Sequence, residues 1–357
     1  MTDSLTDESN RFWRLWDLLV VVSVLFCAVT APQDAYAQNV VTIASGETHT
    51  LQLREDGTVW AWGDNTYGQL GVPDIASSSG AVQVSGLSGV VEIRAGAAHS
   101  LARTRDGQVW AWGDNYYQQL GDGTSTNRRS PTLLQGVSSV VEISAGGYRS
   151  LARTLDGRVW EWGNGKIPMQ VPDLSAVVEI SAGGFHSLAR TEYGQVWAWG
   201  SNQYGQLGDG TTESQSSPVL ALEASGVVEI SAGGFHSLAR ARDGRVWAWG
   251  KNDKGQLGSG TYENWQSTPR RVLGLTEIAA IAAGWMHSLA RTEDGRAFAW
   301  GYNGGGQLGD GGTGDRTTPV PVGGLTGVVE IAAGMWHSLA RAQDGRVFAW
   351  GGNGAGQ

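Results

Sequence analysis

Cysteine and lysine are the two scarcest residues of this 357-residue chain. Its one cysteine, Cys27, lies in an apolar N-terminal segment, so a chain that lost this segment could form no disulfide and would depend on packing for its stability. The only lysines are Lys166, Lys251 and Lys254, and residues 38–357 carry 23 basic and 29 acidic side chains. Nucleic-acid binding depends on clustered lysine and arginine that neutralise phosphates. We therefore expect no nucleic-acid partner.

Catalytic motifs and long helical patterns are absent as well. The sequence contains no G-x-S-x-G, no Cys–His pair and no Walker loop. No long stretch outside the N-terminal segment has a 3.6-residue apolar period, while 54 glycines favour turns over helices. We therefore expect a β-rich protein that is not an enzyme.

One sequence pattern occurs seven times in the chain. It reads approximately V-V-E-I-x-A-G-x-x-H-S-L-A-R-x-x-D-G-x-V-W-A-W-G, and successive copies start 50, 50, 37, 50, 51 and 50 residues apart. A fixed period of this length is typical of architectures in which each unit buries its apolar face against its neighbours. The predicted repeats span residues 40–89, 90–139, 140–176, 177–226, 227–277, 278–327 and, in part, 328–357.

Each repeat predicts four antiparallel strands. V-V-E-I leads to a G-x-x-H corner, H-S-L-A-R returns to a D-G turn, and V-W-A-W-G leads into a long loop and a short fourth strand that starts near Pro131, Pro168 or Pro319. The shortened third repeat keeps only residues 164–167 of this loop, because loops tolerate deletion better than strands do. Seven such units predict an all-β, seven-bladed β-propeller over residues 38–357. We call the end with the G-x-x-H corners and the long loops the top face.

Three motifs carry a resemblance to a known family. G-x-x-H-S-L-A and D-G-x-V-W-x-W-G recur between Val40 and Gln357, and G-Q-L-G-D-G stands at Gly205–Gly210. They resemble the repeats of the regulator of chromosome condensation family, which implies a seven-bladed propeller. Similarity to the extracellular bacterial members, among them propeller-type β-lactamase inhibitors, implies a secreted protein that binds a partner with aromatic-lined loops on one face. Similarity to the eukaryotic branch implies guanine-nucleotide exchange on a small GTPase, with chromatin docking.

Residues 1–37 do not belong to the repeats and have the features of a secretory signal peptide. Arg11 and Arg14 precede the apolar run Leu18–Ala31, and residues 35–37 (A-Y-A) form a small-x-small cleavage pattern. An uncleaved anchor is the alternative, although about 14 apolar residues are fewer than the roughly 20 that a membrane span needs. After cleavage we expect a secreted or periplasmic monomer without membrane contact.

The two ends of the repeat array do not match. The seventh repeat stops inside its G-Q-L-G loop at Gln357, and no segment that could form the short fourth strand of a blade precedes Val40. We therefore expect a truncated last repeat, an incomplete first blade with an exposed sheet edge, and incomplete ring closure.

A glutamate of the first strand and an arginine of the second are predicted to face each other across the G-x-x-H hairpin. Cross-strand pairs of this kind contribute about 0.2–1 kcal/mol each. The first repeat changes both partners, to Thr42 and Leu53, and the sixth has Ala280 opposite Arg291. The predicted pairs are Glu92–Arg103, Glu142–Arg153, Glu179–Arg190, Glu229–Arg240 and Glu330–Arg341.

All histidines of the chain occupy one repeat position, which holds Arg149 in the third repeat. Metal ligands share one ion at about 2 Å, whereas equivalent positions on neighbouring blades lie roughly 10 Å apart. We therefore predict structural imidazoles that bond to the backbone of their own corner, and no metal, cofactor or catalytic site. These histidines are His49, His99, His186, His236, His287 and His337.

The repeats differ most in the two residues before the corner histidine. Of the 17 tryptophans, 12 belong to the W-x-W-G strands or their variants, two lie in the N-terminal segment, and the other three fall on the predicted top face. Clustered aromatic and methionine side chains are typical of recognition sites, which favours a protein partner of unknown identity. Carbohydrate stacking at a cell wall and simple packing into the central channel are the alternatives. The candidate residues are Tyr148, Phe185, Phe235, Tyr262, Trp265, Trp285, Met286, Met335 and Trp336.

Overall fold

A computed structural model describes residues 40–221 and 226–357, and the predicted signal peptide at residues 1–37 lies outside this described part. The described chain forms 27 β-strands in seven antiparallel sheets, the blades of a β-propeller. Blades 1–6 each have four strands in chain order, and blade 7 has three. The predicted fold class is therefore confirmed. Within the described residues, no helix has the length and apolar character needed to cross a membrane.

Each repeat forms one blade, and the first strand of each blade begins with the repeat. The strands are β1 (Val40–Ser45), β2 (His49–Arg54), β3 (Val59–Asp64) and β4 (Ser77–Gln83) in blade 1; β5 (Val90–Ala95), β6 (His99–Thr104), β7 (Val109–Gly113) and β8 (Arg128–Leu133) in blade 2; β9 (Val140–Ala145), β10 (Arg149–Thr154), β11 (Val159–Gly163) and β12 (Lys166–Gln170) in blade 3; β13 (Val177–Ala182), β14 (His186–Thr191), β15 (Val196–Gly200) and β16 (Gln215–Leu220) in blade 4; β17 (Val227–Ala232), β18 (His236–Ala241), β19 (Val246–Lys251) and β20 (Trp265–Arg271) in blade 5; β21 (Ile278–Ala283), β22 (His287–Thr292), β23 (Ala297–Gly301) and β24 (Arg316–Pro321) in blade 6; and β25 (Val328–Ala333), β26 (His337–Ala342) and β27 (Val347–Gly351) in blade 7.

Glycines form the turns of each blade because the backbone there has a positive φ. In the D-G turn of blade 2, Gly107 has a φ of 79°, and its N–H donates to the carbonyl oxygen of Thr104 at 2.9 Å. In blade 3 the shortened connection is a two-residue turn, in which Asn164 has a φ of 51° and Gly165 a φ of 78°. The fourth strand of blade 3 therefore begins at Lys166, earlier than the predicted start at Pro168.

The hydrophobic core lies between neighbouring blades. At the first interface, Leu51 and Val59 of blade 1 share a buried cluster with Ile93 and Trp112 of blade 2. Trp112 is fully buried, and its Nε1–H donates to the Gln69 carbonyl of blade 1 at 2.9 Å. The equivalent indole N–H bonds, also at 2.9 Å, are made by Trp162, Trp249 and Trp300. Because each blade completes the core of its neighbour, one repeat alone cannot bury its apolar faces.

Blade 1 is complete, so the expectation of an incomplete first blade is wrong. The sheet that lacks a fourth strand is blade 7, where β27 pairs only with β26 among the described residues. Strand β1 of blade 1 instead packs against β25 and β26 of blade 7, so the ring is closed and the expectation of incomplete ring closure is wrong as well. Closure does not need the fourth strand, because neighbouring blades meet through their first two strands.

The closing interface repeats the contacts of the other interfaces. Val40 and Ile43 of β1 pack against Leu339 of β26. The N–H of Met335 donates to the Gly46 carbonyl at 3.2 Å. The carbonyl oxygen of Gln357 accepts the Nε1–H of Trp62 at 3.0 Å, as the Gln69 carbonyl does for Trp112 at the first interface.

Candidate functional site

In five blades, a glutamate of the first strand joins the blade to the next one and also forms the predicted cross-strand pair. In blade 4, Glu179 pairs with Arg190 at 2.6 Å, and its other carboxylate oxygen accepts the N–H of Ile230 in blade 5 at 3.1 Å. Blades 1 and 6 have Thr42 and Ala280 at this position and lack the carboxylate. The other four predicted pairs, likewise confirmed, are Glu92–Arg103, Glu142–Arg153, Glu229–Arg240 and Glu330–Arg341.

The corner histidines bond to the next blade, which corrects the prediction that each bonds to the backbone of its own corner. Nε2 of His49 lies 3.0 Å from Oγ of Ser100, and that hydroxyl donates to the Gln69 carbonyl at 2.8 Å. The imidazole Nε2–H is therefore the donor to the serine. His337 completes the ring by contacting Thr50, which stands at the position of Ser100, at 3.2 Å, and it also contacts Ser45 at 2.7 Å. The equivalent pairs are His99–Ser150, His186–Ser237, His236–Ser288 and His287–Ser338.

Burial keeps these imidazoles neutral. It lowers the pKa of His49 from 6.5 to about 3, and that of His337 to about 4. In blade 3, Arg149 replaces the histidine, and its Nη1 lies 3.2 Å from Oγ of Ser187 in blade 4. Within the described residues, no group of three or more His, Cys, Asp or Glu side chains is placed to hold a metal ion. The repeated polar residues therefore connect blades.

A continuous row of aromatic rings crosses the top face from blade 2 to blade 6. The ring centroids of Tyr117 and Tyr148 are 4.8 Å apart, and those of Tyr148 and Phe185 are 5.9 Å apart. Phe185 lies 4.8 Å from Phe235 and 5.6 Å from Trp285. Tilted, stacked and edge contacts of this kind hold the rings in fixed positions while the row stays partly accessible. The aromatic crescent, as we call it, consists of Tyr116, Tyr117, Tyr148, Phe185, Tyr204, Phe235 and Trp285.

Trp285 lies at the mouth of the central channel. A Cβ added to Gly234 would be 2.8 Å from Cδ2 of Trp285, and one added to Gly184 would be 2.8 Å from Cζ3, so the indole lies against both glycines. The channel itself has a cavity of only about 70 Å³, lined mainly by glycine and alanine. Packing into the central channel, the alternative considered from the sequence, therefore describes only part of the environment of Trp285. Its side chain is half-buried.

The other candidate residues lie beside the crescent or apart from it. Trp336 is half-buried and lies 6.1 Å from the Tyr302 ring. Met335 is half-buried at the central channel, and Met286 is half-buried at the corner of blade 6.

Tyr262, on the connection between β19 and β20, is 56% exposed, and Trp265, the first residue of β20, is 44% exposed. The hydroxyl of Tyr262 donates to the Asp315 carbonyl at 3.3 Å. Among the described residues, no ring contact joins either of them to the crescent. The top face thus brings together Tyr148, Phe185, Phe235 and Trp285, and leaves these two as separate exposed aromatics.

Sequence reasoning missed the tyrosines at the start of the long top loops. The fourth residue after the W-x-W-G glycine is Tyr67 in blade 1, Tyr117 in blade 2 and Tyr204 in blade 4. This recurrence was the available signal, since a loop does not need tyrosine for its backbone. Lys251, from the same region of blade 5, places Nζ 5.0 Å from the Tyr204 ring and 5.4 Å from the Phe235 ring.

A cavity of about 760 Å³ opens at the end of the crescent, among the top loops of blades 1–3. It lies where blade 2 has the small corner pair Ala97-Ala98. We call it the tyrosine pocket, and its lining includes Tyr67, Tyr116, Tyr117, Tyr148, Glu47 and Asp114.

Family models match almost the whole described chain. Models of the regulator of chromosome condensation (RCC1) repeat match residues 40–69, 56–103, 90–119, 106–153 and 328–357. A model of the RCC1-like domain matches residues 164–326.

Several known proteins are similar to this chain in sequence or in structure. Over 38 residues, 11% of this chain, the sequence is 58% identical to protein pim1 of Schizosaccharomyces pombe, and the matched segment spans 7% of that protein. The crystal structure of human WBSCR16 superposes with a TM-score of 0.77 at 26% identity, covering 86% of this chain and 88% of that one. Prp20p from Saccharomyces cerevisiae, studied for its binding to Gsp1p and histones, superposes with a TM-score of 0.74 at 23% identity. The match covers 87% of this chain and 82% of that one, and it shows the shared fold.

Proposed function

The chain belongs to the regulator of chromosome condensation repeat family, and we propose that it is a non-enzymatic scaffold that binds a protein partner through its top face. The observation that carries this proposal is the aromatic crescent, in which five blades contribute rings to one continuous row. The propeller does not need this row for its fold, because the core between blades is built from the strand residues.

The chemistry of the crescent suits protein recognition. Aromatic side chains bury a large area at a small cost in conformational freedom and dominate binding hot spots. Here Tyr116 and Tyr117 are 73% and 42% exposed, while Tyr148, Phe185 and Phe235 are half-buried and fixed by their neighbours. A partner would therefore meet rings that are already ordered, which lowers the entropy lost on binding.

At the opposite end of the propeller, no ring contact joins aromatic side chains among the described residues, although Leu155 and Tyr193 are exposed there. The D-G turns at this end carry exposed ion pairs such as Asp156–Arg158 at 3.1 Å and Asp243–Arg245 at 2.6 Å. Exposed pairs of this kind are solvated and contribute little to stability or binding. The asymmetry between the two ends supports the top face as the docking surface.

We further propose that the protein acts outside the cytoplasm, as a secreted or periplasmic monomer of the extracellular bacterial type. The support is the order of features in residues 1–37, where two arginines are followed by an apolar run and then by a small-x-small cleavage pattern. N-terminal sequencing of the protein recovered from culture medium should find Gln38 as the first residue. Recovery of the uncleaved chain from the cell interior would contradict this location.

A capture experiment tests the binding proposal. The full chain is immobilised and exposed to culture medium and cell extract, and the retained protein is identified and its affinity measured. The variant Phe235→Ala/Trp285→Ala should lower that affinity roughly tenfold or more. The control Tyr193→Ala removes a tyrosine that is 74% exposed in the turn between β14 and β15, at the opposite end, and should bind normally. Equal affinity of the crescent variant and the wild type would contradict the proposal.

The alternative functions give different results with the same preparation. Guanine-nucleotide exchange would accelerate release of a fluorescent nucleotide from a small GTPase. Carbohydrate binding would retain glycans on an array in the absence of any protein. We expect neither result.

A further inference from the structure

The tyrosine pocket exists because blade 2 has small residues at its corner. At this position blades 3–7 carry Tyr148, Phe185, Phe235, Met286 and Trp336, whereas blade 2 carries Ala98. The space that an aromatic side chain would fill is therefore open. Its volume of about 760 Å³ lies within the roughly 300–1,000 Å³ of ligand pockets.

Four tyrosines surround this space. Tyr67 is 44% exposed, and the Tyr116 and Tyr117 rings meet at 82° with centroids 5.0 Å apart. Tyr117 and Tyr148 meet at 57°. Rings inclined to one another in this way present their electron-rich faces in several directions, as aromatic cages for cations do.

The charge of the pocket is negative. Glu47 and Asp114 line it, and no lysine or arginine does. Asp114 accepts a hydrogen bond from Nε2 of Gln119 at 2.6 Å, and within the described residues neither Asp114 nor Glu47 forms an ion pair. Burial raises the pKa of the Tyr148 hydroxyl, and the negative charges of Glu47 and Asp114 raise it further.

The aromatic crescent already holds one cation of this chain beside its rings. In blade 5 the residue after the W-x-W-G glycine is Lys251, whose ammonium lies near the Tyr204 and Phe235 rings. In blade 2 the same position is Asp114, and among the described residues no lysine or arginine lines the pocket beside it. The pocket therefore has the aromatic half of a cation–π site together with carboxylates that complement a positive charge.

We propose that the tyrosine pocket binds a cationic side chain of the protein partner, arginine in preference to lysine. Arginine is favoured because its planar guanidinium stacks on tyrosine rings while donating to carboxylates. An acidic or neutral side chain would leave Glu47 and Asp114 without a partner. The inference deepens the proposed function and rests on it, since it assigns chemistry to one end of the same docking surface.

The test uses defined peptides and needs no identified partner. The isotope-labelled full chain is titrated with acetyl-Gly-Arg-Gly-amide and with its lysine and glutamine analogues, and amide shifts are followed by NMR. The arginine peptide should shift the amides of Ala97, Ala98 and Tyr148, and the glutamine peptide should not. Glu47→Gln/Asp114→Asn, and separately Tyr117→Ala, should weaken arginine binding about fivefold or more. Tyr193→Ala and Glu213→Gln, an exposed carboxylate of the β15–β16 loop, are the matched controls.

Each outcome bears on one proposal. Equal binding of the arginine and glutamine peptides, unchanged binding by both pocket variants, or no shift at the corner of blade 2 would overturn the cationic pocket. Partner capture that survives Phe235→Ala/Trp285→Ala would instead overturn the crescent as the docking surface. Unchanged amide spectra away from the pocket establish that each variant is folded.

Discussion

The carboxylate of Glu161 in blade 3 accepts the indole N–H of Trp199 in blade 4 at 3.1 Å. At the other described interfaces this indole donates to the backbone carbonyl of a loop glutamine. Blade 3 has lost that loop, and Glu161 stands where other repeats have alanine. The same carboxylate accepts Ser187 at 3.1 Å and pairs with Arg149 at 3.3 Å. Two local substitutions, Glu161 in place of alanine and Arg149 in place of histidine, therefore compensate for one shortened loop.

Glu161→Ala should destabilise the protein by about 3 kcal/mol or more, because it leaves the buried Arg149 and the Trp199 indole without an acceptor. The measurement is the free energy of unfolding in urea. Glu161→Gln keeps an acceptor oxygen and should show a smaller loss. Asp156→Ala, which removes an exposed ion pair of the same blade, should leave the midpoint unchanged. A urea midpoint for Glu161→Ala equal to that of the wild type would show that the contacts of Glu161 between blades 3 and 4 do not stabilise the protein.

Ala280→Glu should stabilise the protein by about 1 kcal/mol. Ala280 is paired with Arg291 in the strand register, and the buried Nε of Arg291 has no hydrogen-bond partner in the described part of the chain. A glutamate at this position would supply the acceptor that five other blades have. Ala280→Gln is the neutral control. Equal unfolding free energies for the two variants would contradict the prediction.

The six buried histidines should make the fold sensitive to acid. Their folded-state pKa, about 3 or 4, lies below the 6.5 of an exposed histidine, so the unfolded chain takes up protons first as the pH falls. Each histidine should lower the free energy of unfolding by about 1 kcal/mol per pH unit below roughly pH 6. Glu179, whose pKa burial raises to about 7, acts in the opposite direction, as do Glu142 and Glu47, whose pKa burial also raises.

Urea midpoints at three pH values between 7 and 5 test this dependence. They should fall steeply below pH 6. His99→Gln should reduce the dependence of the unfolding free energy on pH by the contribution of about one proton taken up on unfolding. Equal midpoints at pH 7 and pH 5 would show that the imidazoles are not held neutral.

Gly96→Ala should destabilise the protein by about 2 kcal/mol or more through overpacking. A Cβ at Gly96 would lie 2.2 Å from Cε1 of His99 and 2.5 Å from the Gly146 carbonyl oxygen of blade 3, so the corner has no room for it. Gly80, exposed on β4, is the matched control, because a Cβ there would meet no atom within 4 Å. Gly80→Ala should change stability by less than about 0.5 kcal/mol. Comparable losses for both variants would contradict the steric explanation.

Contacts within one blade could be predicted from the sequence, because hairpin register follows from local strand length and turn type. The pair Glu92–Arg103 is an example, and it is confirmed. Contacts between blades could not, because they depend on how neighbouring sheets meet around the axis. The partner of His49, Ser100, lies 51 residues away on the next blade, so a search for a bond within the corner itself gave the wrong partner.

The candidate site shows the same division. The corner aromatics Phe185 and Phe235 could be found because they vary at a fixed repeat position. That their ring centroids lie 4.8 Å apart could be learned only from the structure. Tyr67 and Tyr116 were missed, although their loops were placed on the top face, because the sequence does not show which side chains of a loop turn toward the corners.

Hydrogen exchange of the chain, measured by mass spectrometry alone and with its captured partner, tests the docking surface most directly. Protection should be concentrated in the corners at residues 146–148, 183–185, 233–235 and 284–286 and in the loop at 114–120, with the D-G turns at 155–158 and 242–245 unchanged. Protection confined to the D-G turns or to the outer strands, with the corners unaffected, would contradict the assignment of the top face as the binding surface.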